Sequence, residues 1–444
     1  MSVSYWCELA WLGDEAPAEG VVVEVDGQRI AGVDQGIATP PAGATRLDGI
    51  TVPGLANSHS HAFQRALRGR THSGSGNFWR WREAMYELAS RLDPDLYLPL
   101  ARATYGEMAL AGITCVGEFH YLHHGPDGTP YADRNAMGRA LIQAAREAGI
   151  RITVLDACYL HGGIGEELAG AQRCFGDGDA DRWADRIGEL QSGDGARIGA
   201  AIHSVRAVDP ESAAVVAAWA SEREAPLHAH VSEQPAENEA SRRAYGGTPT
   251  AVLANANALG ERFTAVHATH LGQPDFRVLG DARVTCCLCP TTERDLADGI
   301  AEAERLRAAG TELALGSDSH AVIDILEEAR AVELDERLVS GERGRNPAAQ
   351  LLRAGTQNGH ACLGWPEAGR IEPGAVADLV TLRLDTPRLA GTDRATAVDT
   401  VIFAAGAADV HDVVVAGREI VRDGAHMAMD VPAELADALA RVWA

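Results

Sequence analysis

The chain has 444 residues, a formal net charge of −24, 46% hydrophobic residues and 23% charged residues, the composition of a globular protein with room for a large core. Such an acid balance repels phosphate backbones, so no nucleic-acid partner is expected, and an acidic small-molecule substrate would depend on a few local arginines. No apolar run reaches the roughly 18 residues of a membrane span, and the opening MSVSYWCELAWLGDEAP lacks a basic start, an apolar stretch and a small-residue cleavage site, so no membrane partner and a cytoplasmic location are expected.

In chain order, residues 18–36 (AEGVVVEVDGQRIAGVDQG) come first, a Val-rich alternation broken by Gly and Asp that predicts β-structure without helices. Short apolar, β-branched runs then recur at 50–58, 113–121, 151–159, 198–205, 226–231, 264–268, 283–289 and 312–317, separated by Ala/Glu/Arg-rich helical stretches. Eight such units predict an α/β fold, a (β/α)8 TIM barrel. Residues 375–421 return to alternating strands (AVADLVTL, TAVDTVIFA, DVHDVVVAGREIV). The two ends together predict a small β-sandwich domain built from residues 1–52 and 366–444, with the barrel at 53–365 between them. The polar stretch 68–77 (RGRTHSGSGN) is the best candidate for a flexible loop beside the active face. Eight scattered cysteines without CxxC spacing read as reduced thiols, and the cluster Cys286, Cys287 and Cys289 sits in an apolar run that reads as a buried strand.

The first barrel strand ends in Asn57-Ser58-His59-Ser60-His61. Residues two apart on a strand face the same side, so His59 and His61 can both enter the barrel mouth and bind one metal, although a lone HxH is a weak signal. The fifth strand carries His228-Ala229-His230 with Glu233 beyond it, the sixth His267, and the eighth Gly316-Ser317-Asp318-Ser319-His320. Each has a bland reading: a packed imidazole, a solvated acid, or a helix cap at Asp318. Four coincident strand ends outweigh those readings, because a catalytic barrel gathers its chemistry at these ends. Nearness to the strand end favours His230 over His228 as a ligand, and His267 over His270 as the strand-borne imidazole.

PGLANSHSH, the HxxE at His230–Glu233, the strand-six His, GSDSH and the tail GRIEPGAVADLV together resemble the amidohydrolase superfamily, in its one-metal deaminase branch, over essentially the whole chain. The resemblance implies that His59, His61, His230 and Asp318 hold the metal while Glu233 and His267 act on water and substrate, with Asp318 also orienting the nucleophile. Three imidazoles and a carboxylate suit one Zn2+ per chain with a position left for water, and Fe2+ or Mn2+ can substitute. The chain contains no lysine, so no lysine carbamate can bridge two metals. A homodimer is the expected assembly.

SHAFQRALRG, NFWRWREAMYELASRL, GEFHYLHHGPDGTPYAD, AIHSVRAV and LHAHVSEQPAE are similar, within that superfamily, to the N-formimidoyl-L-glutamate deiminases of histidine degradation. That resemblance implies zinc-dependent hydrolysis to N-formyl-L-glutamate and ammonia, with Gln64, Arg82, Tyr121 and Arg206 recognising the glutamate part. Guanidinium groups are the bidentate partners that two carboxylates need in so acidic a protein, whereas Glu233 and Asp318 suit the cationic formimino end. Arg82 can also be a solvated helix residue beside Arg80, Trp79 and Trp81 read as core or lid packing, and His120, His123, His124, His161 and His203 as hydrogen-bonding support. Arg294, in Pro290–Asp295, is a charge at the rim that could contact a carboxylate. The competing readings are a deaminase of a purine or related aromatic base and, in another class, a metal-free barrel acting as a binding module.

Overall fold

The computed structural model describes residues 2–72 and 78–444; residues 73–77 of the expected flexible loop, and the side chain of Trp79, lie outside the described set. Four strands open the chain: β1 (Ser2–Ala10), β2 (Ala18–Asp26), β3 (Arg29–Asp34) and β4 (Thr45–Pro53). Eight more follow in alternation with helices: β5 (Leu55–Ser60), β6 (Ile113–His120), β7 (Arg151–Cys158), β8 (Ala196–Ile202), β9 (Leu227–Val231), β10 (Phe263–His267), β11 (Thr285–Leu288) and β12 (Glu312–Leu315). The last four are β13 (Leu379–Leu382), β14 (Val410–Val415), β15 (Arg418–Arg422) and β16 (Ala425–His426).

β5 to β12 pair in parallel and in sequence order. They are buried almost throughout, as strands covered on both faces must be. The cylinder closes just beyond β12, where Asp318 N donates to His59 O (3.0 Å) and His61 N donates to Asp318 O (3.1 Å). A Cβ on Gly316 would lie 2.7 Å from His59 Cβ, so only glycine allows this seam to approach so closely. The three cysteines expected on a buried strand are buried and unpaired on and just after β11.

The remaining strands form one mixed sheet in the order β16-β15-β14-β13-β4-β1-β2-β3, joining both ends of the chain. β1 pairs β4 in parallel and β13 pairs β4 antiparallel, so β4 is the join. The sheet faces two cores. Val21, Val23 and Val25 alternate into its own core with Tyr5, Cys7, Leu379 and Val414, while Ile50, Val52, Val380 and Leu382 face the barrel core. Asp378, just before β13, accepts from Arg151 Nη1 (2.9 Å), Thr114 Oγ1 (3.0 Å) and Ala416 N (2.8 Å), which ties the sheet to the floor of the barrel. Arg151 and Asp378 are both buried. Asp378→Ala is expected to destabilise the protein by about 3–5 kcal/mol, because it leaves Arg151 buried without its counter-charge; unchanged denaturant unfolding would refute that weight.

Three expectations change. The strand expected at 50–58 is two strands: Ile50–Pro53 ends β4, and Gly54 separates it from β5. Both halves are buried, so no polar residue marks the break. TAVDTVIFA is not a strand but the helix Ala397–Phe403, because Val398, Val401 and Ile402 share its buried face at helical spacing. Ser2–Ala10, not anticipated as a strand, is β1. The helix Val431–Trp443 packs on the helix Pro94–Leu110 through Val431, Leu435 and Ala103, and Trp443 Nε1 donates to Ala66 O at 3.1 Å. Among the described residues no helix is long and apolar enough to cross a membrane.

Candidate active site

The chemistry gathers at the C-terminal ends of the barrel strands. His59 lies on β5 and His61 directly follows it, His230 is on β9, His267 ends β10, and Asp318 stands three residues beyond β12. Ser232, His267, Ala268, Asp318 and His320 all have φ between 44° and 69°, a left-handed backbone that costs energy for residues with a Cβ.

The donor atoms converge. His59 Nε2 lies 3.2 Å from His230 Nε2 and 3.3 Å from Asp318 Oδ1, and His61 Nε2 lies 3.2 Å from the same oxygen. A backbone carbonyl can only accept, so His61 Nδ1 donates to Phe119 O (2.9 Å) and His230 Nδ1 to His203 O (2.8 Å). In a neutral imidazole that leaves the Nε2 lone pairs turned inward. Burial drives His59 down to about 3 and His230 well below the usual range, which keeps both neutral as metal ligands must be. Burial alone would raise Asp318, but the His59 and His61 imidazoles against its Oδ1 hold it well below the usual carboxylate range. A tetrahedral ion with bonds of about 2.0–2.1 Å separates its ligands by roughly 3.3–3.4 Å. The observed spacing, with the Nε2 lone pairs of His61 and His230 turned inward among buried donors, fits a divalent cation.

Glu233 and His267 flank this group. His267 Nε2 lies 3.9 Å from Glu233 Oε1 and 3.8 Å from Asp318 Oδ2, and its Nδ1 donates to Glu293 Oε1 at 3.3 Å. Burial opposes charge on His267, yet Glu293, Glu233 and Asp318 together raise it to about 10, and with Nδ1 given to Glu293 its Nε2 faces Glu233 and Asp318. Glu293, next to Arg294, carries no signal of this role in the sequence. Arg294 turns away from the cleft to Glu327 (3.1 Å) and Pro290 O (3.2 Å), so its suggested carboxylate contact does not exist here. Glu118 was also missed: it accepts from Ser60 Oγ (2.6 Å) and Ala62 N (2.7 Å), fixing the backbone on either side of His61.

A cleft opens above, lined by His61, Glu233, His267 and Asp318 and by Gln64, Arg82, Tyr121 and Arg206. Gln64 Nε2 donates to Tyr121 OH (2.9 Å), while Gln64 Oε1 has no hydrogen-bond partner among the described residues. Burial holds the Tyr121 phenol protonated, well above its usual range. Arg82, on the helix Phe78–Ala89, reaches Tyr159 OH (3.4 Å) and Gly162 O (3.3 Å) and lies over the Tyr86 ring. Arg206 Nη2 donates to Glu233 Oε2 at 2.8 Å, a pairing the sequence did not suggest. Trp81 lines the cleft as well.

His203 lines the cleft beside His230, while other histidines stand apart. His228 Nε2 donates to Cys362 O (3.1 Å), and His161 pairs with Asp209. His120, His123 and Asp156 come together with ligand-like spacing, but Arg186, bonded to both Asp156 and Asp177, already supplies the cation there.

The model of the amidohydrolase family matches residues 50–420. Formimidoylglutamate deiminase of Pseudomonas aeruginosa is 37% identical over 426 residues, 93% of this chain and 91% of that protein. The 8-oxoguanine deaminase of the same species is 30% identical over 436 residues, 94% and 93% of the two chains. Among solved structures, an amidohydrolase from Brucella melitensis matches with a TM-score of 0.91 at 33% identity over 100% of both chains. An adenosine deaminase from Xanthomonas campestris with bound zinc gives 0.86 at 23% identity over 99% and 97%.

Proposed function

Because the chain belongs to the amidohydrolase family, we propose that it hydrolyses N-formimidoyl-L-glutamate to N-formyl-L-glutamate and ammonia, with one zinc ion held by His59, His61, His230 and Asp318. The observation that carries the substrate is the set of charges in the cleft: Glu233 and Asp318 stand beside His267, and the guanidiniums of Arg82 and Arg206 line the same cavity, Arg206 against Glu233. An amidinium is drawn to the acids and two carboxylates to the guanidiniums. The 37% identity to a formimidoylglutamate deiminase over nearly the whole chain supports the same substrate.

When bound, the ion supplies Lewis acidity that brings the pKa of a water to about 7. Glu233 takes a proton from the attacking water as it adds to the formimino carbon, delivers it to the departing nitrogen, and takes the remaining hydroxyl proton as the C–N bond breaks, ammonia leaves and the formyl carbonyl forms. His267, charged and held by Glu293, donates from Nε2 to the oxygen that becomes the formyl carbonyl and stabilises the negative charge developing there. Asp318 orients the attacking water. Arg82 and Arg206 hold the substrate's acid end so that the carbon stays over Glu233.

Glu293→Gln is expected to lower kcat roughly 10- to 100-fold with metal content unchanged, since it releases the ring orientation of His267. Wild-type kinetics in that variant would remove Glu293 from the machinery. The deciding assay is ammonia release from N-formimidoyl-L-glutamate by zinc-loaded protein, beside guanine and adenine derivatives and a chelated control. Release from a base and not from the glutamate compound would overturn the substrate, and the 30% identity to an 8-oxoguanine deaminase makes that comparison necessary.

A further inference from the structure

Arg206 stands between two buried acids four residues apart. Its Nη2 donates to Glu233 Oε2 at 2.8 Å, and its Nε faces Glu237 Oε1 at 4.0 Å. Glu237 is 2% exposed. Its Oε2 accepts from Glu233 N (3.1 Å), and its Oε1 has no hydrogen-bond partner among the described residues. Glu233 is therefore held through Oε2 in a charge-assisted hydrogen bond that lowers the basicity of the carboxylate which must take the proton from water. A substrate carboxylate arriving at Arg206 meets Glu233 on that guanidinium edge, and two like charges cannot share one edge at hydrogen-bond distance without a large cost.

We propose that the Arg206–Glu233 ion pair is a latch that the acid end of the substrate opens: the carboxylate takes Arg206 from Glu233, Glu237 keeps the guanidinium anchored through its Nε side, and Glu233 is then free to accept the proton. This rests on the reading that the substrate is an acidic amidine. Arg206 and Glu237 are thereby specificity-determining residues in turnover as well as in binding. An amidine without carboxylates enters the acidic end of the cleft but leaves the base locked.

The test compares N-formimidoyl-L-glutamate with N-propylformamidine, which carries no carboxylate, in the zinc-loaded wild type and in Arg206→Met. The substitution should act in opposite directions: kcat/KM for the acidic substrate falls roughly 30-fold or more, whereas kcat for N-propylformamidine rises about three- to tenfold as the base is unlocked. In the wild type, propionate should raise turnover of N-propylformamidine where equal chloride does not, because free carboxylate opens the same latch. A fall or no change with N-propylformamidine in Arg206→Met overturns the latch. If the variant does not fold, propionate that only inhibits or does nothing in the wild type overturns it equally. No turnover of N-formimidoyl-L-glutamate by wild type, with propionate still activating the neutral amidine, would instead sink the substrate assignment and keep the latch.

Discussion

Replacing Glu233 by Gln should lower kcat by about 10²- to 10⁴-fold, the range for loss of a positioned acid–base group, while the protein keeps its metal and its fold. The amide keeps the shape and can still hydrogen-bond to Arg206, which donates to Oε2 at 2.8 Å, but it cannot carry a proton from water to the leaving nitrogen. Glu233 contacts His267 and Arg206 rather than the inward nitrogens of His59, His61 and His230, so metal content by elemental analysis should match the wild type. Activity within about tenfold of wild type would show that another group moves the proton.

Asp318→Asn should be as severe, at about 10²- to 10⁴-fold in kcat, and should in addition weaken metal retention. The side chain is buried, and its Oδ1 meets both His59 and His61. The substitution removes the one negative charge of the four-atom donor group and one of the acids that keep His267 charged. The barrel seam should survive, because Asp318 closes it through backbone atoms alone. Dialysis against chelator separates the two variants: the Glu233 variant holds metal like the wild type, and the Asp318 variant loses it faster. Equal retention would remove Asp318 from the ligand set.

The barrel was legible because a parallel strand buried on both faces is mostly apolar, and β6, β7 and β10 to β12 each carry a short apolar run. The same property hid the join at Pro53–Gly54, where one apolar run serves two sheets. The helix Ala397–Phe403 was misread because a Val-rich texture took precedence over its spacing of three and four. The histidines and Asp318 announced themselves by clustering at strand ends, which chain position alone reveals. Contacts between side chains of neighbouring units did not. Arg206 and Glu233 are 27 residues apart and meet because β8 and β9 are adjacent. Glu293 reaches His267 from a short helix whose turn direction no local pattern states.

The mixed sheet has a consequence for how the chain is made. β4 pairs on one side with β1 and on the other with β13, and the Thr51 and Thr381 hydroxyls meet at 2.9 Å across 330 residues. At about 5–20 residues per second, a ribosome takes roughly 15–65 s to supply the partner of an edge it has already released. Throughout that interval β4 offers an open row of backbone donors and acceptors above an apolar face, the form of edge most prone to pairing with another nascent chain. The enzyme's exposure to aggregation is therefore concentrated during synthesis and ends only when one of its last strands covers one of its first.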